Sequence, residues 1–116
     1  MPSSSIEILD DDELYRRIHP TFRKPDGTVS SAVFKQRGGD GLSVDFAKLT
    51  TIARTLDGHG SSGLASIAVQ IPRQLELEVL HGPVPGNYAH GIIKGNITES
   101  KAKKMVCSAR IVVPVP

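Results

Sequence analysis

Four turn-forming segments, each containing glycine, divide this chain into short pieces. They are KPDG (24–27), GGDG (38–41), DGHGSSG (57–63) and GPVPGN (82–87). Proline presets one backbone dihedral angle, aspartate closes local hydrogen bonds and glycine tolerates positive φ, so these segments favour turns and loops. With 116 residues in total, the chain is expected to form one domain of short strands and helices.

The segment before the first turn contains LYRRIHP (14–20). The proline that ends it disfavours helical geometry at His19, so we predict a strand. Asp10 and Glu13 offer an alternative, because together they could form the capping box of a short helix.

The domain is expected to cover residues 14–116, and residues 1–13 are expected to form a polar lead-in. Between the first two turns, residues 29–35 could pair as a short strand.

A change of hydrophobic period within LSVDFAKLTTIARTL (42–56) predicts a helix. Apolar side chains recur there at intervals of three and four residues, at Phe46, Leu49, Ile52, Ala53 and Leu56. Asp45 stands at the N-cap position, where its carboxylate could accept a hydrogen bond from the first turn. A second helix is predicted over residues 98–113, with Thr98 as its N-cap.

Three strands are predicted between these helices. SGLASIAVQI (62–71) is short, apolar and rich in β-branched residues, as is typical of a buried central strand. LELEVLHG (75–82) alternates apolar and charged residues, and a further strand after GPVPGN would complete a hairpin. The order of elements predicts an α+β fold with a mainly antiparallel sheet and two helices.

The composition limits the core and the partners. Aromatic residues make up 4% of the chain and tryptophan is absent, so the core is expected to be aliphatic. The formal net charge of +2 is small, and only two tyrosines and three phenylalanines could stack on bases. A nucleic-acid partner is therefore not expected.

The only cysteine, Cys107, excludes an intrachain disulfide and favours a reducing compartment. The first residues lack the basic and apolar regions of a signal peptide. No apolar run approaches the roughly 20 residues that a membrane helix needs. We therefore expect a soluble cytoplasmic protein without a membrane partner.

Five short motifs follow one another along the chain. They are LYRRIHP (14–20), DGTVSSAVF (26–34), LSVD (42–45), LEVLHGP (77–83) and NYAHGIIKG (87–95). In this order they resemble motifs of a group of small uncharacterised bacterial proteins. Tyr88 stands where the last motif is expected to have proline, and RIVVPVP (110–116) looks like an extension. The resemblance implies no activity, so function must be argued from the residues.

Two histidines in the predicted hairpin could form a catalytic pair. If GPVPGN is the loop, His81 lies opposite Tyr88 and His90 lies opposite Val79, so both imidazoles and the phenol share one face. Imidazoles that titrate near neutral pH could then act as acid and base. The alternative is that both histidines end strands and bond to nearby backbone. A register shift of one residue would place them on opposite faces.

The first predicted strand raises a second question. Arg16 would share its apolar face, where a guanidinium needs a carboxylate, a bound anion or a route to water. Asp45 is one candidate partner, and a phosphate of a ligand is another.

The candidate residues therefore form two sets. The candidate catalytic residues are His19, His81 and His90. The candidate ligand-binding residues are Arg16, Arg17, Ser31, Asp45, Tyr88 and Lys94. The histidines lack metal-site spacing, and no phosphate-binding or dinucleotide-binding loop is present, so neither a metal nor a cofactor is expected.

Two functions remain open. The first is a non-catalytic binding protein for an anionic ligand or a protein partner, and the oligomeric state is not indicated. The second is a small hydrolase or transferase for a phosphate-bearing or nucleotide substrate, with histidine as acid and base and arginine holding the anion. An enzyme predicts that His19, His81 or His90 converges with Arg16 or Arg17 in one concave pocket. Histidines scattered over separate surfaces would argue against it.

Overall fold

One antiparallel sheet organises the chain. The computed structural model describes residues 6–35 and 41–116. In these ranges the strands are β1 Glu13–Ile18, β2 Leu42–Phe46, β3 Gly63–Ala68, β4 Glu78–His81, β5 His90–Lys94 and β6 Arg110–Val113. They form one sheet in the order β4-β5-β2-β1-β3-β6, and every neighbouring pair is antiparallel. The predicted α+β class is confirmed.

The helices of the described part are short. They are α1 Ile52–Thr55, α2 Gln70–Gln74 and α3 Glu99–Ser108, and 3-10 turns occur at Pro20–Phe22, Ser31–Phe34 and Ala47–Leu49. The α1 and α2 helices contain four and five residues, so α3 is the only one of the three with more than two turns. None of these helices has the length and apolar character needed to cross a bilayer.

The first strand forms as predicted, and the capping-box helix at Asp10 does not form. Leu14 and Ile18 are fully buried on one face of β1. The turn at 24–27 also forms, since the Gly27 amide donates to the Lys24 carbonyl at 2.9 Å. The second predicted turn, at 38–41, lies mostly outside the described residues.

The helix predicted to follow Asp45 as its N-cap is wrong for its first half. Asp45 lies in β2, and the N-cap of α1 is Thr51, whose side chain accepts from the Arg54 amide. The physical reason is that apolar and polar residues also alternate from Leu42 to Phe46, which suits a strand paired on both sides. β1 and β5 supply those two partners.

Two further boundaries differ from the prediction. The last helix begins after Thr98 as expected but ends at Ser108, because the β-branched run that follows pairs with β3 as β6. Residues 29–35 do not form a strand. Ser30 caps the 3-10 turn Ser31–Phe34 by accepting from the Ala32 amide at 3.1 Å.

Buried side chains from the sheet and α3 form one apolar cluster. Its aliphatic members include Leu14, Ile18, Val44, Ile67, Ile93 and Met105 of α3. Two aromatic rings join them, because Phe34 and Phe46 are both fully buried. Burying a ring of this size contributes about 1.5–3 kcal/mol. The core is therefore mainly aliphatic, as predicted, with these two phenylalanines inside it.

Phe46 occupies the space that a side chain at Gly91 would need. A Cβ added at Gly91 would lie 2.5 Å from Phe46 Cε2 and 3.0 Å from the carbonyl oxygen of Leu80. Glycine is thus required here by close packing between β2, β4 and β5.

We predict that Gly91→Ala lowers the free energy of unfolding by about 1–3 kcal/mol, because the Phe46 ring must move to admit the methyl group. Urea unfolding measures the change. Gly60→Ala is the matched control, since nothing lies within 4 Å of its added Cβ. Equal stability of the two variants would contradict the packing argument.

Two cationic side chains hydrogen-bond to residues 7–12 of the predicted lead-in. Lys48 Nζ donates to the Glu7 carbonyl at 2.6 Å and to Asp12 Oδ2 at 2.7 Å. Arg73 donates to Asp10 Oδ1 at 2.6 Å and, through its other terminal nitrogen, to the carbonyl of residue 8 at 3.0 Å.

These contacts change the titration of Asp12. Burial raises the pKa of its carboxyl, but the hydrogen bonds from Lys48 and the Leu9 amide and the charges of Lys48 and Arg73 outweigh burial, so the pKa is lowered. A carboxyl with a lowered pKa stabilises the fold above its unfolded pKa, and that contribution is lost as the pH falls through the folded pKa.

Asp12→Asn is therefore expected to be less stable than the wild type near neutral pH, with a difference that shrinks once the pH falls below about 4. Urea unfolding at a series of pH values measures it. Asp11→Asn changes the exposed neighbouring carboxylate and should leave the acid profile unchanged. A difference between Asp12→Asn and wild type that stays constant with pH would refute this role.

Candidate functional site

A cavity of about 560 Å³ opens between residues 49–59 and residues 86–89. Charged and polar side chains line it, including Arg17, Asp45, Arg54, Asp57, His59 and Asn87. We name this cavity the Asp45 pocket. Its volume falls within the roughly 300–1,000 Å³ that is usual for small-molecule sites.

The Asp45 carboxylate is buried in the wall of the pocket, with 5% of the residue exposed. Its Oδ2 accepts from Thr55 Oγ1 at 3.1 Å, and its Oδ1 accepts from Asn87 Nδ2 at 2.9 Å. The Asn87 side chain also accepts from the Ala89 amide at 3.1 Å. These bonds offset the desolvation of the carboxylate and join β2, α1 and the turn before β5.

Arg17 connects the same helix to β1. Its Nη1 donates to the carbonyl of Thr55 at 3.0 Å, while Thr55 Oγ1 donates to Asp45. Thr55 therefore links a cation and a carboxylate on two neighbouring strands.

Three further charged or titratable residues line the Asp45 pocket. Arg54, Asp57 and His59 are all exposed. Within residues 6–35 and 41–116, no side-chain hydrogen bond or ion pair involves any of the three.

Arg16 has a different role from Arg17. Its Nε donates to the Val33 carbonyl and its Nη1 to the Ser43 carbonyl, both at 2.8 Å. Asp45, the predicted carboxylate partner, lies opposite Tyr15 and so belongs to the other face of the sheet. The guanidinium of Arg16 thus connects β1 to β2 and to the 3-10 turn Ser31–Phe34.

The predicted register of the hairpin is wrong. His81 lies opposite Gly91, and the Gly82 amide donates to the His90 carbonyl at 3.0 Å. The chain reverses in a tight turn over residues 84–87, where Gly86 has φ 82°. This register differs from the predicted one by three residues, an odd number, so the two imidazoles lie on opposite faces of the sheet.

Both hairpin histidines bond to backbone. His81 Nε2 lies 2.7 Å from the Tyr88 carbonyl, and its ring contacts the rings of Phe46 and Tyr88 edge-on, at 5.7 and 4.8 Å between centroids. His90 Nδ1 lies 2.6 Å from the Gly82 carbonyl. Tyr88 contributes to the wall of the Asp45 pocket.

His19 lies at another site. Its Nδ1 accepts from the Thr21 amide at 3.2 Å and caps the 3-10 turn after β1. His90 lies opposite Asp45, which lies opposite Tyr15, and His19 follows Tyr15 by four residues. That spacing is about 13 Å along the strand. The three candidate catalytic histidines are therefore not brought together.

One of them does meet both arginines. His90, Arg16 and Arg17 line a cleft of about 50 Å³ beside Asp45 and Asn87. A cleft of this volume holds only a few water molecules, whereas small-molecule sites usually span roughly 300–1,000 Å³.

Ser31 and Lys94 lie away from the Asp45 pocket. Ser31 Oγ donates to Glu99 at 3.1 Å at the start of α3, and the bonds from Lys35 and Ser31 lower the pKa of Glu99. Lys94 is exposed at the end of β5. No group of histidine, cysteine and acidic side chains that could hold a metal ion occurs in the described ranges.

Sequence reasoning placed Arg17, Asp45 and Tyr88 in the candidate set, and the pocket contains all three. It missed Arg54 and Asp57, which carried no motif. Arg54 lies in α1, and Asp57 lies in the turn-forming segment 57–63 that follows it.

Comparison with protein-family models, curated proteins and solved structures finds no match to this chain. The resemblance to small bacterial proteins stays a prediction, and the function is argued from the site.

We predict that Thr55→Val lowers the free energy of unfolding by about 1–3 kcal/mol, because it removes the donor to a buried carboxylate oxygen without changing side-chain size. Chemical denaturation measures the loss. Ser61→Ala removes an exposed hydroxyl on the next loop and should cost less than about 0.5 kcal/mol. If Thr55→Val were as stable as Ser61→Ala, the bond to Asp45 would not support the fold.

Proposed function

We propose that this protein is a non-catalytic binding protein that holds a small anionic ligand in the Asp45 pocket. The observation that supports this most directly is the position of Arg17 and Arg54 on one open cavity. A guanidinium group binds carboxylates and phosphates through parallel hydrogen bonds, so two such groups on one cavity favour an anion.

Arg17 is suited to this role because it is already anchored. One of its terminal nitrogens donates to the Thr55 carbonyl, which leaves other guanidinium N–H groups for a ligand. A side chain held in place before binding loses less conformational freedom on binding than a mobile one.

The Asp45 carboxylate in the pocket wall is bonded within the protein and is not assigned to the ligand. Both oxygens of Asp45 accept hydrogen bonds from Thr55 and Asn87. Its contribution is to fix the position of α1 and of the 86–89 turn on either side of the cavity.

The hydrogen bonds of the histidines favour a binding protein over the alternative of a hydrolase or transferase. The three candidate catalytic histidines bond to main-chain groups at separate places. His59 is the histidine of the pocket lining, and no described residue hydrogen-bonds to its imidazole and orients it as a base.

We also infer a cytoplasmic location, supported by the exposed free thiol of Cys107. An unpaired exposed cysteine fits a reducing compartment better than an oxidising one.

Arg54→Gln is expected to weaken binding of a small anion by about tenfold or more, since a hydrogen bond to a charged group contributes about 1.5–3 kcal/mol. Isothermal titration with ethyl phosphate and with propionate, at low ionic strength, measures the affinity.

Arg23→Gln is the matched control, because it removes the same group from an exposed position outside the pocket. Equal loss in both variants would indicate general charge attraction. If Arg54→Gln bound the anions as tightly as the wild type, Arg54 would not hold the ligand and the proposed function would be overturned.

A further inference from the structure

We propose that the ligand of the Asp45 pocket is a small zwitterion, which carries an ammonium group beside its carboxylate or phosphate. This inference rests on the proposed function and adds the partner of Asp57. In it, Arg54 and Arg17 hold the anionic group and the Asp57 carboxylate holds the ammonium group.

Arg54 and Asp57 carry opposite charges but do not form an ion pair within the described ranges. The Asp57 amide donates to the Arg54 carbonyl at 3.2 Å, so the two residues belong to one turn of the chain. Their side chains could reach each other, yet the ion pairs of the described residues do not include this one. Both side chains line the cavity instead.

The charges of the residues that line the pocket also favour a zwitterionic ligand. Arg17 and Arg54 supply two positive charges, and Asp45 and Asp57 supply two negative charges. The oxygens of Asp45 are occupied by internal donors, whereas no described donor bonds to the side chain of Asp57. A purely anionic ligand would leave Asp57 as a repulsive neighbour, while an ammonium group would pair with it.

The size of the cavity agrees with a small molecule of this kind. A volume of about 560 Å³ that is open to solvent admits an amino acid or a short amino phosphate with room for water. Whether the anionic group is a carboxylate or a phosphate is left to the experiment, because guanidinium groups bind both.

The test compares matched pairs of probes by isothermal titration. 2-Aminoethyl phosphate is paired with ethyl phosphate, and β-alanine is paired with propionate, so that each pair differs in the ammonium group. We expect the wild type to bind the zwitterion of at least one pair about tenfold more tightly than its partner. The pair that shows the preference identifies phosphate or carboxylate as the anionic group.

The variants assign the effect to residues. Asp57→Asn should remove the preference and raise the affinity for the plain anion, because it removes the repulsive carboxylate. Asp11→Asn, an exposed carboxylate outside the pocket, should keep the preference. A preference that survives in Asp57→Asn would overturn the assignment.

The two proposals can fail separately. If the plain anions bind as tightly as the zwitterions, the zwitterion inference fails and anion binding stands. If none of the four probes binds, both fail.

Discussion

The buried carboxylate of Asp45 is the constraint on which the pocket depends. A carboxylate removed from water is tolerated only with close donors, and here the donors come from two distant segments, through Thr55 and Asn87. Because those segments form the two sides of the cavity, satisfying Asp45 also fixes the shape of the cavity. The stability of the fold and the geometry of the site therefore depend on the same three side chains.

Neighbouring arginines on β1 illustrate how strand geometry divides roles. Arg16 points to one face and donates to two main-chain carbonyls, while Arg17 points to the other and lines the cavity. Both residues are arginines, so residue type does not explain their different contacts. The alternation of side chains along the strand explains them. A charged pair in a motif such as LYRRIHP can thus contain one cation that connects backbone segments and one that lines a cavity.

Much of the fold could be predicted because its signals are local. Pro20 ended a strand, Thr98 began a helix and a β-branched run gave β3. The segment from Leu42 to Phe46 could not be assigned, since its apolar residues fit a period of two as well as the helical period that continues beyond it. The hairpin register depended on where the reversal occurs within several possible turn residues.

Less of the site could be predicted, because its parts meet only through pairing across the sheet. Arg17 was chosen for its place on a predicted strand and Asp45 for its place at a predicted helix N-cap. Arg17 does lie on a strand, whereas Asp45 lies in β2 and caps no helix. Arg54 and Asn87 come together with them through the β1–β2 and β2–β5 pairings. Spacing along the sequence carries no signal for such contacts.

The order of the strands also has a kinetic consequence. Of the paired strands in the described ranges, β4 and β5 are joined by a short turn. By contrast, residues 19–62 separate β1 from its partner β3, and residues 47–89 separate β2 from its partner β5. Closing those long loops costs entropy before the sheet gains contacts, so the polypeptide must search slowly for its central pairings. The hairpin can form early, but the Asp45 pocket exists only after β1 has paired with β2 and β2 with β5.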